Sequence, residues 1–116
     1  MADNIIDPVV YETLKTMVGA DYIAVLIDAY FEDSATLFSE LRASLEAGDC
    51  QRFARAAHSL KGNSANFGAN HLTDQSRELE FLGKSDSLEG AEAKLNALVA
   101  EYERVRTALE ELRDGI

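Results

Sequence analysis

Two histidines occur in this sequence, and their surroundings differ. Between Cys50 and Thr73 there is not one Asp or Glu, although acids make up 21 of the 116 residues. The same stretch holds Arg52, Arg55, Lys61, His58 and His71. An acidic chain thus carries one locally basic segment, which suits an anion such as a phosphoryl group. Chance replacement of acids by alanine is the plain alternative. On a helical wheel with Phe53 at zero, Ala57, Leu60, Ser64 and Phe67 fall within about 40° and make an apolar stripe. His58 falls at about 140°, off that stripe. Its angular neighbours are Ala54, Ala65 and Gly62, which are very small, and Lys61 and Arg55, which are cations. Gly62 lies one turn after His58 on the same face. A glycine inside a helix costs roughly 0.8–1 kcal/mol relative to alanine, so its presence there asks for a reason. His58, Lys61 and Gly62 together describe a reachable nucleophilic nitrogen, a cation beside it and room for a tetrahedral group. A lone helical histidine is more often structural. His71 has no lysine or glycine at matching offsets and reads as a surface residue.

The elements that must hold this segment are helices. Asp7-Pro8 reads as an N-cap followed by proline at the first helical position. Gly19 closes that short helix and Asp21 can cap the next. Ile23, Ile27, Tyr30, Ser34, Leu37, Leu41 and Leu45 step by three or four residues, and Gly48 ends the run. Asp49 can cap a third helix reaching Gly68. Asn70 can cap a fourth with Leu72, Leu79 and Leu82, which stops near Gly83. Asp86 and Glu89 have the spacing of a capping box. Ala91, Leu95, Leu98, Tyr102, Val105, Leu109 and Leu112 mark the last helix, with Gly90 unexplained in its first turn. No stretch alternates with period two. The expected fold is all-α, an antiparallel up-down-up-down four-helix bundle with a short additional N-terminal helix, joined by connections of about two to five residues.

Composition narrows the function. A length of 116 residues allows one domain, 1–116. Lys plus Arg is 11 and Asp plus Glu is 21, giving a net charge of −10. That argues against nucleic acid and against anionic membranes as partners. The single cysteine, Cys50, excludes an internal disulfide and a cysteine-based zinc site, and reads as a small, partly buried hydrophobe. The longest apolar run, Tyr22 to Ile27, falls far short of the ~20 residues of a membrane span. Met1-Ala2-Asp3-Asn4 lacks the basic and apolar parts of a secretion signal. A cytoplasmic monomer is expected. Tyr11, Tyr22, Tyr30 and Tyr102 read as core or boundary residues with hydroxyls reaching water.

The segment His58-Ser59-Leu60-Lys61-Gly62-Asn63-Ser64-Ala65-Asn66-Phe67-Gly68-Ala69 resembles the signature of the histidine-containing phosphotransfer (HPt) domain family. The match falls on His58, Lys61, Gly62, Ser64, Ala65, Gly68 and Ala69. Leu72, Arg77-Glu78-Leu79-Glu80 and Tyr30-Phe31-Glu32-Asp33 to Leu37 are similar to the family's flanking helices. The resemblance implies that His58, through Nε2, takes a phosphoryl group from the aspartyl phosphate of a receiver domain and passes it to another receiver. It implies a hybrid sensor histidine kinase upstream, and Mg²⁺ held by the receiver rather than by this chain. Lys61 would offset phosphoryl charge. Gly62, Ala54 and Ala65 would admit the receiver's loops, with Arg55 at the rim and a partly apolar patch of the first two helices as docking surface. No cofactor or metal is implied for the chain itself. With no phosphate-binding glycine loop and no room for a kinase domain, the resemblance implies a phosphoryl carrier rather than an enzyme; the chain looks free-standing, with a fragment cut from a hybrid kinase as the alternative. The alternative is an unphosphorylated helical adaptor that binds a kinase or receiver. No Ser-His-Asp order, carboxylate pair beside His58 or metal-ligand spacing points to other chemistry.

Overall fold

The computed structural model describes residues 5–115; the segment Met1–Asn4, read above for a secretion signal, lies outside them. Five helices follow one another: α1 (Pro8–Val18), α2 (Ala20–Ala47), α3 (Cys50–Asn66), α4 (Asn70–Lys84) and α5 (Ala91–Arg113). No strand occurs among the described residues. At 1.5 Å per residue α2 is about 42 Å long, matching the longest dimension of the molecule, 41 Å. α3 packs against α2 and α4, α5 closes on α4 and α2, and α1 lies across α2 and α3.

The starts of α1 and α3 follow the capping rules. The Asp7 carboxylate accepts from the backbone N–H of Val9 at 2.9 Å and of Val10 at 3.5 Å. Asp49 accepts from the N–H of Arg52 at 3.1 Å. Gly48, at φ +68°, ends α2, while the Asp49 N–H donates to the Ser44 carbonyl at 2.9 Å.

Three expected helix starts lie elsewhere. Gly19, at φ +94°, turns the chain within one residue, so α2 begins at Ala20 and Asp21 sits in its first turn rather than at the cap. There its charge suits the positive end of the helix dipole. Ala69 takes the cap position of α4, and Asn70 is already helical. Asp86 and Glu89 form no capping box: Asp86 stands at φ +62° in the α4–α5 connection, and Gly90, at φ +80°, precedes α5 instead of fraying its first turn. α4 ends at Lys84, next to Gly83 as expected, and Gly83 itself keeps a helical backbone in the last turn.

The core is the predicted set of stripes. Ile23, Ile27, Tyr30 and Leu41 of α2 meet Phe53, Ala57 and Leu60 of α3, Leu72 and Leu79 of α4, and Leu95, Leu98, Val105 and Leu109 of α5. Leu37, Leu45, Leu82 and Leu112 are only partly buried at its edge. Inside it the Tyr30 hydroxyl pairs with Ser64 Oγ at 2.7 Å, so this tyrosine reaches a serine and not water. Burial drives its pKa well above the ordinary phenol value. Tyr11 and Tyr102 are buried too, whereas Tyr22 is largely exposed.

The α3–α4 turn is pinned from outside. The Asp7 N–H donates to the Gly68 carbonyl at 2.9 Å. Gly68 has φ +79°, and a Cβ there would lie 2.9 Å from Val10 Cβ. Only glycine satisfies both the backbone angle and the approach of α1.

Candidate functional site

α3 presents its apolar stripe inward, and that leaves His58 outside. Its side chain is 65% exposed. The ring is nevertheless held. Nδ1 lies 2.8 Å from Oε2 of Glu80, a residue of α4. Glu80 is the anchor of the site: its side chain is only 7% exposed, and three cationic or protonatable groups converge on it. Lys61 Nζ donates to Oε1 at 2.7 Å, and Lys84 Nζ stands 3.1 Å from Oε2. The Lys61 hydrogen bond, with those of Lys84 and His58 against the opposing cost of burial, holds the Glu80 carboxyl down to about 2. It is therefore ionised at neutral pH.

An ionised carboxylate only accepts hydrogen bonds. The nitrogen facing it must be the donor, so neutral His58 carries its proton on Nδ1. The lone pair is then on Nε2. Among the described residues no hydrogen bond engages Nε2. A carboxylate that selects the tautomer and orients the ring is the usual way a protein prepares an imidazole nitrogen for chemistry.

The other residues picked from the sequence divide into those at the surface and those beneath it. Gly62 and Ala65 are exposed one and two turns beyond His58. A Cβ at Gly62 would meet nothing within 4 Å, so no contact inside the chain requires glycine there. Arg55 is exposed and lines a hollow between α3 and α4 with Gln51, His58, Lys84 and Asp86. Ala54 also lines it, but as floor: it is buried beneath Gly83. Lys61 is not free beside the imidazole, because its ammonium is on Glu80. Arg52, part of the same basic segment, is held by Glu40 of α2 at 2.7 and 3.0 Å. His71 is exposed at the start of α4 with no ion pair among the described residues. Cys50 is partly buried.

Sequence reading missed Glu80, Lys84 and Gly83. The helix bearing His58 has no carboxylate of its own, but α4 supplies one from 22 residues away. A signal was present: Leu72, Ser76, Leu79, Glu80 and Gly83 share the buried side of α4. An acid on an inward stripe is rare without a partner.

The described residues contain no cluster of three metal-ligating side chains. None of their helices is long and apolar enough to cross a membrane. Large exposed apolar side chains occur on α1 and α2 (Val9, Met17, Tyr22, Val25) and at Phe81 of α4.

The site is thus a reachable imidazole on a helical bundle, with its tautomer set by a buried acid and cations around it. The family model for the Hpt domain matches residues 25–115, and the chain belongs to that family, the histidine phosphotransfer proteins of phosphorelays. Its structure is similar to the crystal structure of histidine-containing phosphotransfer protein B (HptB) from Pseudomonas aeruginosa PAO1. The TM-score is 0.91 at 32% identity, covering 97% of this chain and 96% of that one. No curated protein matches the chain.

Proposed function

We propose that this chain carries a phosphoryl group on Nε2 of His58 between the aspartates of receiver domains. The observation that supports it most is the bond from Nδ1 to Glu80, which leaves the Nε2 lone pair on the exposed side of the ring. In the step, the lone pair attacks phosphorus of the aspartyl phosphate. The N–P bond forms, the P–O bond to the aspartate breaks, and the carboxylate leaves with its electron pair. The proton on Nδ1 stays where it is, so the phosphorylated ring is cationic and Glu80 stabilises it. Such a reaction asks mainly for position and charge stabilisation. Lys61 and Lys84 share one carboxylate, so one positive charge remains over for the incoming phosphoryl group. Gly62 and Ala65 leave space for the receiver's loops, Arg55 stands at the rim, and Ala54 shapes the hollow below. Mg²⁺ would be held by the receiver.

The remaining parts of the reading rest on the same frame. Contacts between α3 and α4 run in opposite chain directions, Ala54 with Gly83 and then His58 with Glu80. With short connections and a closed ring of neighbours, that supports the antiparallel up-down-up-down order. We read residues 1–116 as one domain, working as a cytoplasmic monomer that receives its phosphoryl group from a hybrid histidine kinase. The apolar residues of α1 and α2 form its docking surface.

The test is phosphotransfer from a phosphorylated hybrid kinase or receiver of the same organism, with His58→Gln and His71→Gln variants. Acid-labile, base-stable label on the wild type and on His71→Gln, but not on His58→Gln, is the expected result. No label from any such donor would remove the carrier reading and leave an adaptor that binds without transfer.

A further inference from the structure

Gly83 lies inside α4 with an ordinary helical backbone, so no left-handed angle calls for glycine there. What calls for it is α3. A Cβ on Gly83 would lie 2.8 Å from Ala54 Cβ, 2.9 Å from Ala54 N and 2.9 Å from the Cys50 carbonyl oxygen. Two of these three are backbone atoms, which cannot rotate aside. The two helices come too close here to admit a side chain at this position. The crossing stands one turn from the site in both helices: His58 follows Ala54 by four residues, and Glu80 precedes Gly83 by three.

We infer that Gly83 is a positioning residue: by keeping α3 and α4 this close, it lets Glu80 reach Nδ1 of His58 and so decides which imidazole nitrogen is left to take the phosphoryl group. Non-bonded carbon atoms settle at about 3.5–4.0 Å, so an added methyl at 2.8 Å must push the helices apart by about 1 Å. The His58–Glu80 hydrogen bond is 2.8 Å long, and a lengthening of about 1 Å takes it past the range of a real hydrogen bond. Glu80 does not turn freely, since Lys61 of α3 and Lys84 of α4 each hold one of its oxygens. Freed from the carboxylate, the imidazole spends part of its time with the proton on Nε2, and in that form Nε2 has no lone pair to offer. The spacing claim stands on the contacts alone; its consequence for transfer rests on the function proposed above.

The experiment is ¹⁵N NMR of the histidine side chains in the full chain, well above the ordinary imidazole pKa, for wild type, Gly83→Ala, Gly83→Val and Leu109→Ala. The last removes core packing in the half of α5 that Arg113 ties to Asp28. Wild type and Leu109→Ala are expected to show His58 with its proton on Nδ1 alone. Gly83→Ala should show a mixture of tautomers, and Gly83→Val a larger share of the Nε2–H form. Phosphotransfer to the Gly83 variants should be several-fold slower, with Leu109→Ala unchanged. If Gly83→Val does not fold, Gly83→Ala decides, since it adds a single methyl. A folded Gly83→Ala that keeps the pure Nδ1–H pattern overturns the inference, as does the same tautomer mixture in Leu109→Ala. A shift at Gly83 in a protein that takes up no phosphoryl group upholds the positioning role and removes the carrier reading instead.

Discussion

Gly62 within α3 and Gly83 in the last turn of α4 both have helical backbone, and they do opposite things. A side chain at Gly83 would strike the neighbouring helix at once, whereas one at Gly62 would stand in open space. Glycine in a helix interior costs roughly 0.8–1 kcal/mol relative to alanine, which applies in full to Gly62. At Gly83 any such cost is offset by close packing inside the chain. At Gly62 nothing inside the chain offsets it. The same residue type therefore separates the inner wall of the site, where α3, α4 and Glu80 fix the ring, from the outer wall, where a partner must fit. Inside, His58, Lys61 and Lys84 all close on the one carboxylate of Glu80. Outside, the surface is small-sided and open.

Substitutions at these walls should differ in sign as well as in size. Gly83→Val should have the largest effect, a loss of up to about 3 kcal/mol from overpacking, read by urea denaturation. Glu80→Ala comes next, with a loss of about 2 kcal/mol at pH 7 from hydrogen bonds to charged groups. Its pH dependence is specific. The Glu80 pKa is lower in the folded chain than its ordinary 4.5, at about 2. Its contribution is therefore present in full above about pH 4.5, fades as the pH falls, and is gone by about pH 2. Wild type and Glu80→Ala should converge in stability across that window.

At the outer wall, Gly62→Ala should raise stability by roughly 0.8–1 kcal/mol while slowing transfer from a receiver. Equal loss of stability and transfer there would erase the distinction between the two walls. The smallest effect is expected far from both. Arg113 bonds Asp28 and lies 5.8 Å from the centre of the Phe31 ring. Arg113→Ala should leave stability in urea nearly unchanged, as loss of an exposed ion pair does, with no change in transfer rate.

The outer wall was legible in the sequence and the inner wall was not. Cap and glycine signals together with the three-and-four spacing of apolar residues placed all five helices, and the wheel put His58 on the open side of α3, because these depend on one helix at a time. The helix ends were less legible. Asp21, Asn70 and Asp86 are good caps in isolation, but Gly19 and Gly90 reverse the chain first, and Ala69 is set by the turn pinned to Asp7. Glu80 needs a second helix brought within hydrogen-bond distance, and Gly83 needs that helix brought closer still. Read alone, Gly83 marked the end of its helix, correctly, and showed nothing of its contact with α3. The basic segment around His58 was real in sequence but partly neutralised in space, because Glu40 and Glu80 reach it from α2 and α4.

The central claim is that Glu80 occupies Nδ1 and thereby assigns the phosphoryl group to Nε2 of His58. The most direct measurement is ¹⁵N and ³¹P NMR of the chain after phosphorylation by a receiver. A phosphorus coupled to Nε2 of His58, with the proton still on Nδ1, is the predicted result. Phosphorus on Nδ1, or on His71, would contradict it.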